Sequence, residues 1–324
     1  MMKQRINWID WAKSICMFLV IIGHTHIQYP DFYTKQLIYA FHMPLFFFLS
    51  GLFGKKGLSI DSIYSDIRYI IIPYLFYSII GIILPHPIAI KEIPQYLLNI
   101  IWGNDISIGA IWFLPAIFFC KLFGGLIISL KDKYHLFYYF LFILAFLPAF
   151  FLRGVYLPLF IGAAACGLPF FLLGNEFMKL SYKRIHGKYL LIIAFIAAIF
   201  TIVLSPMHDF VLIAANNYGN NIFLYYINAF TGIIAIISTS IILNRYTIRF
   251  VTITAYGNIA TLWLHGVILS LFNYYLPKML GYDISAYPLL NAIIYSMITY
   301  ALCYIFIIVA DKYCPTPFGL RGRL

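Results

Sequence analysis

A chain of 324 residues that is 63% hydrophobic and only 10% charged falls far below the roughly 25% charge of soluble domains, and its mean hydropathy of +0.90 suits lipid. A net charge of +11 invites a nucleic-acid reading, but the placement of the cations, taken up below, removes it. Five cysteines at 16, 120, 166, 303 and 314, with no CxxC and no metal-ligand spacing, exclude a disulfide framework and a zinc site.

Apolar segments of about 20 residues, the length needed to cross a bilayer, fall at 8–29, 36–53, 68–85, 110–130, 134–152, 156–177, 189–205, 222–243, 252–276 and 289–311. The expectation is an all-α integral membrane protein of about ten transmembrane helices, forming one domain over residues 1–324. With the first residues in the cytoplasm, 17 of the 22 Lys and Arg lie in inner segments, 4 lie in outer loops, and Lys13 lies within the first span. That asymmetry follows the positive-inside rule. It places both termini in the cytoplasm, makes the excess charge topological, and leaves no call for nucleic acid. A multi-pass protein of the inner or plasma membrane results. Asp10 and Lys13 interrupt the first apolar run, and no small-residue cleavage site follows His24, so the run reads as an uncleaved span rather than a signal peptide.

The first span, "KSICMFLVIIGHTH", begins at Lys13 and carries His24 and His26 at its outer end. Lys13 and His24 are eleven residues apart, about 20° from eclipsed after three turns and about 16.5 Å along the axis, so they share a helix face. This matches the reach of a pantetheine arm between phosphate and thioester. Two readings of Lys13 stand: it snorkels to the interface and pairs Asp10 at i, i+3, or it holds a phosphate of an acyl-coenzyme A. His26 points about 200° away from His24 and belongs to another face. No acidic residue sits at mid-membrane, which weakens a proton-coupled transporter. His24, His42 and His265 are embedded, and imidazole titrates where a general base must work.

"YAFHMPLFFFLSGLFGKK" (39–56) opens the second span with His42 and Pro44 and closes it with Ser50-Gly51 before Lys55 and Lys56. No GxSxG elbow surrounds Ser50, so close helix packing is the better account of Ser50-Gly51. "DIRYIIIPYL" (66–75) sets Arg68 at the inner mouth of the third span, as a topological anchor or a phosphate fork. "GAIWFLPAIFF" (109–119) sets Trp112 at an outer edge, as part of an aromatic belt or as a sugar-stacking face. "AYGNIATLWLHG" (255–266) aligns Asn258, Thr261 and His265 at spacings of 3, 4 and 7, one face of a helix. Such a stripe in lipid needs partners or a wet cavity. The last residues, "PTPFGLRGRL", read as a floppy basic tail.

Taken together, "RINWIDWAKSICMFLVIIGHTH", "FHMPLFFFLSGLF", "IRYIIIPYL", "IWFLPAIFF" and "YGNIATLWLHGVIL" resemble the membrane-bound acyltransferase 3 family, particularly its fucose 4-O-acetylase-like branch. The resemblance covers essentially the whole chain. It implies an enzyme that moves an acyl group, usually acetyl from acetyl-CoA, onto a carbohydrate hydroxyl, free of metal, with His24 as the essential base. It also implies site roles for His42, Arg68 and His265. The family's Arg-x10-His pattern stands here as Lys13-x10-His24, which keeps the charge and loses the bidentate fork. The expected site is therefore His24 as base, with Lys13, His42, Arg68, Trp112, Asn258 and His265 around the substrates. Lys13, Arg68, Lys55 and Lys56 would meet the phosphates of acetyl-CoA, and the acceptor would be a cell-surface or lipid-linked carbohydrate. The alternative is a transporter or flippase of a glycan or lipid-linked sugar, using the same polar cavity without chemistry.

Overall fold

The computed structural model describes residues 5–25, 32–83, 93–102, 110–180, 186–280, 288–322 and 324. Helix dominates because a lipid-embedded backbone must satisfy its own N–H and C=O groups. In chain order the helices are α1 (Asn7–His24), α2 (Phe32–Gly51), α3 (Ile60–Asp66), α4 (Ile72–Ile83), α5 (Ile93–Trp102), α6 (Phe113–Ser129), α7 (His135–Leu144) and α8 (Pro148–Phe151). There follow α9 (Ile161–Phe177), α10 (Gly187–Leu204), α11 (Ile222–Leu243), α12 (Arg249–Tyr256), α13 (Asn258–Leu280) and α14 (Pro288–Tyr313). A five-residue π turn, Ile67–Ile71, joins α3 to α4. The one strand pair among the described residues is a small antiparallel hairpin, β1 (Val211–Leu212) with β2 (Asn217–Tyr218).

Among the described residues, six helical stretches are long and apolar enough to cross a membrane: Ile60–Ile80, Ala110–Ser129, Pro158–Phe177, Gly187–Met207, Ile222–Leu243 and Leu289–Tyr313. A seventh is added if α12 and the first part of α13 count as one span broken by 89°. Large apolar side chains are exposed along α7, α10 and α14, among them Leu136, Phe195 and Met297. In water such faces would be a liability; lipid covers them, and the chain is a multi-pass membrane protein.

Helix α1 lies at the centre and packs against α2, α11, α12, α13 and α14. A buried triad sews it in place: Ser14 Oγ lies 3.0 Å from Thr254 Oγ1 and 2.8 Å from Tyr300 Oη. Helices α2 and α9 approach backbone to backbone, as the Ser50-Gly51 reading anticipated. A Cβ on Gly51 would come within 1.9 Å of the Phe171 carbonyl oxygen, and one on Gly174 within 2.0 Å of that of Phe48. The sharp α12–α13 bend also turns on glycine, since a Cβ at Gly257 would meet Ile307 at 2.4 Å.

The segment after α14 is not the floppy tail its composition suggests. Leu320 is 0% exposed, and the Phe318 ring packs on Phe76, Tyr77 and Phe306. The Asp311 carboxylate accepts hydrogen bonds from Tyr256 Oη at 2.5 Å, Gly322 N at 2.9 Å and Leu324 N at 2.8 Å. Two apolar side chains and one carboxylate acceptor hold down a segment that Pro, Gly and Arg content marks as loose.

Candidate active site

The His24 end of α1 meets α2 and α13. The His24 and His265 rings lie edge to face with centroids 5.0 Å apart. Tyr39 of α2 bridges the group: its ring is 5.7 Å from that of His24 and 4.9 Å from that of His42. Tyr39 thus contacts His24 and His42, and His24 in turn contacts His265. His42 is 2% exposed and His265 1%, while His24 is half-buried.

Each imidazole is oriented by its own helix. Nδ1 of His24, His42 and His265 lies 2.8 Å from the carbonyl oxygen of Val20, Ile38 and Thr261 respectively, one turn earlier. A carbonyl only accepts, so each Nδ1 carries the proton and each Nε2 presents a lone pair. Tyr39 Oη, 3.4 Å from His24 Nε2, is placed to donate to it. His265 Nε2 is buried with no hydrogen-bond partner among the described residues.

Other unsatisfied atoms continue from His265. Asn258 Oδ1 on α13, Ser296 Oγ and Thr299 Oγ1 on α14, and Tyr77 Oη on α4 are buried with no hydrogen-bond partner among the described residues, and Thr261 Oγ1 and Ser78 Oγ have only Cys303 and Tyr74 beside them. Buried polar atoms without partners are rare and costly. The ones here lie on three helices, α4, α13 and α14.

The Lys13 end holds a different chemistry. Asp10 does not pair with Lys13; Arg5 takes it at 2.5 Å, because its longer side chain reaches the carboxylate from outside the helix. Lys13 is half-buried and feels Asp10, Arg5 and Arg321 electrostatically. Arg68, in the π turn, and Arg321, after α14, both stand over the Tyr69 ring, at 5.5 and 4.7 Å from its centroid. Neither arginine forms an ion pair among the described residues. Lys13, Arg68 and Arg321 therefore make a cationic mouth to which the sequence reading had not assigned Arg321.

The remaining candidates lie elsewhere. Lys56 is bound to Asp132, whose carboxyl this hydrogen bond holds below its usual range, and Lys55 Nζ lies 3.4 Å from Ser62 Oγ. Trp112 is 8% exposed and packs against Phe113 and Phe160 in the core. His26 lies outside the described residues. Among the described residues no group of three His, Cys, Asp or Glu is arranged to hold a metal. Tyr39 joins the site beyond the residues expected from sequence; it stands three residues before His42 and so on its face. Tyr77 and Ser78 carried no signal, since a Tyr and a Ser in an apolar span are unexceptional.

A family model described as an acyltransferase domain matches residues 6–308. No curated protein and no solved structure matches the chain.

Proposed function

The chain belongs to the acyltransferase 3 family, whose domain covers nearly all of it, and from that premise we propose that it is a membrane O-acetyltransferase. It moves an acetyl group from acetyl-CoA to a hydroxyl of a cell-surface or lipid-linked carbohydrate, in the manner of the fucose 4-O-acetylase-like branch. The observation that carries the reading is the imidazole group itself: His24, with Nδ1 tied to Val20 and a basic Nε2, touches His265, whose own Nε2 is buried with no hydrogen-bond partner among the described residues.

On this reading the chain crosses the plasma membrane ten times, with the Lys13 end facing the cytoplasm. The donor's phosphates meet Lys13 and Arg68, with Arg321 beside them; Lys55 and Lys56 contribute less, Lys56 being already paired to Asp132. The 16.5 Å or so along α1 from Lys13 to His24 is the distance a pantetheine arm spans, and the buried polar atoms of Asn258, Thr261, Ser296 and Thr299 are partners for its amides. His24 Nε2 removes the proton from the acceptor hydroxyl as that oxygen attacks the thioester carbonyl. The C–S bond breaks, and the proton passes from His24 to the departing sulfur. His265, with its Nδ1–H engaged at Thr261, offers only an acceptor. It therefore orients the incoming hydroxyl, and charge on the carbonyl oxygen falls to hydroxyl donors such as Tyr39 and Thr261.

The test is transfer of label from [1-14C]acetyl-CoA by the purified protein in nanodiscs to glycans extracted from the cell that makes it. Label in ester linkage supports the reading. Absence of both transfer and acetyl-CoA binding favours the transporter instead.

A further inference from the structure

Lys35 is the fourth residue of α2, which starts at Phe32, with Nζ 5.6 Å from the Tyr39 ring centroid and 5.8 Å from that of Phe210. The two rings are themselves in contact, with centroids 4.9 Å apart and planes at 37°. Lys35 forms no ion pair with a carboxylate among the described residues. Tyr39 is also the residue that reaches His24. With Nζ 5.6 Å from the Tyr39 centroid and that centroid 5.7 Å from the His24 ring, the ammonium is no more than the sum of the two from the imidazole, the span of a mono- or disaccharide.

The arrangement is built rather than incidental. Phe210 follows Asp209, which adopts a left-handed φ of 61°, and leads directly into the β1–β2 hairpin. Gly219, just after β2, packs so closely on the segment before β1 that a Cβ there would fall 1.6 Å from the His208 carbonyl oxygen. Helix α2 is sewn to the same region by Gln36 Nε2 donating to the Ser205 carbonyl at 2.9 Å and Tyr33 Oη to that of Ile202 at 2.5 Å. A lysine over two aromatic faces is here a cation with no counter-ion among the described residues. On the proposed orientation it lies at the outer end of the bundle, against the positive-inside preference.

We propose that Lys35, Tyr39 and Phe210 form the acceptor subsite and select an anionic sugar, one bearing a carboxylate or a phosphate within one or two rings of the hydroxyl that is acetylated. The sugar ring stacks on Tyr39 and Phe210, Lys35 pairs with the anion, and the hydroxyl is presented to His24 Nε2. This rests on the reading of the chain as an acetyltransferase.

The experiment uses the full chain in nanodiscs with [1-14C]acetyl-CoA and total glycans from the cell that makes it, resolved afterwards by anion exchange. Label in the retained fraction is expected, with incorporation by Lys35→Gln at least about tenfold lower, through KM rather than kcat, and restored by Lys35→Arg. Prior reduction of carboxylates with carbodiimide and borohydride, or removal of phosphates with hydrofluoric acid, abolishes labelling in one arm and identifies the anion. Label in the unretained fraction, or equal incorporation by Lys35→Gln, overturns the anionic subsite and leaves the acetyltransferase standing. No label from the folded wild type in any fraction removes the acetyltransferase reading and this inference with it.

Discussion

Replacing His24 by Gln tests the chemistry most directly. Glutamine keeps a polar side chain of similar reach but cannot take up a proton. A positioned general base contributes about 10²- to 10⁴-fold, which at 1.36 kcal/mol per decade is about 2.7–5.4 kcal/mol of transition-state stabilisation. The structural cost is small by comparison. His24 is half-buried, and its hydrogen bonds to the Val20 carbonyl and from Tyr39 are neutral ones, each worth about 1 kcal/mol. The variant is therefore expected to fold, elute as a single species from size exclusion, and melt close to wild type. With saturating labelled acetyl-CoA, kcat should fall at least a hundredfold while KM for acetyl-CoA moves little, because the proposed phosphate site lies at the opposite end of α1. A folded His24→Gln protein with kcat within about threefold of wild type would refute the assignment of the base.

Four further outcomes follow from the same geometry. Lys13→Ala should raise KM for acetyl-CoA about tenfold or more with kcat little changed, the loss of a charge-assisted phosphate contact; Lys13→Arg should retain binding, and both are read from initial rates. Gly174→Ala drives a methyl to within 2.0 Å of the Phe48 carbonyl oxygen, so α2 and α9 must separate, at a cost of about 1–3 kcal/mol or more visible as a lower midpoint in a fluorescence-detected thermal scan. Asp311→Asn weakens the charge-assisted bonds that hold residues 315–322, each worth about 1.5–3 kcal/mol, and should expose that segment to a protease that spares the wild type. His208, fully buried beyond the end of α10, has its imidazole pushed below the ordinary value of 6.5 by burial, against the pull of backbone hydrogen bonds. The unfolded chain then binds the proton first, so the stability that neutral His208 contributes is complete above pH 6.5 and is lost as pH falls below it towards the depressed value. Thermal midpoints of wild type and His208→Asn should therefore converge between pH 7.5 and 5 or so.

What the chain reveals before folding depends on the range over which each interaction acts. Apolar segments and the Lys13–His24 spacing are local, set by a helical rise that every α-helix shares, and each apolar segment overlaps an observed helix, although α3 and α5 fall between segments. The polar stripe Asn258, Thr261 and His265 is legible for the same reason, since one period defines it. The meeting of His24 with His265 joins residues 241 positions apart, and only the 89° break at Gly257 turns α13 so that its stripe faces α1. A glycine within "AYGNIATLW" carries no mark of the Ile307 side chain that requires it. The C-terminal segment misleads for a related reason: its composition resembles a linker, and its order comes from Asp311, Tyr256 and the aromatic side chains of α4, none of which it contains. Phe210 is the extreme case. It is one of 31 phenylalanines, and only a left-handed Asp209 and a two-stranded hairpin bring it onto Tyr39. The proposed donor and base positions thus lie in a short helical spacing, whereas the proposed acceptor subsite rests on long-range contacts such as Lys35 over Tyr39 and Phe210. Of those contacts, Lys35 and Phe210 reach His24 through Tyr39, whose hydroxyl lies 3.4 Å from His24 Nε2.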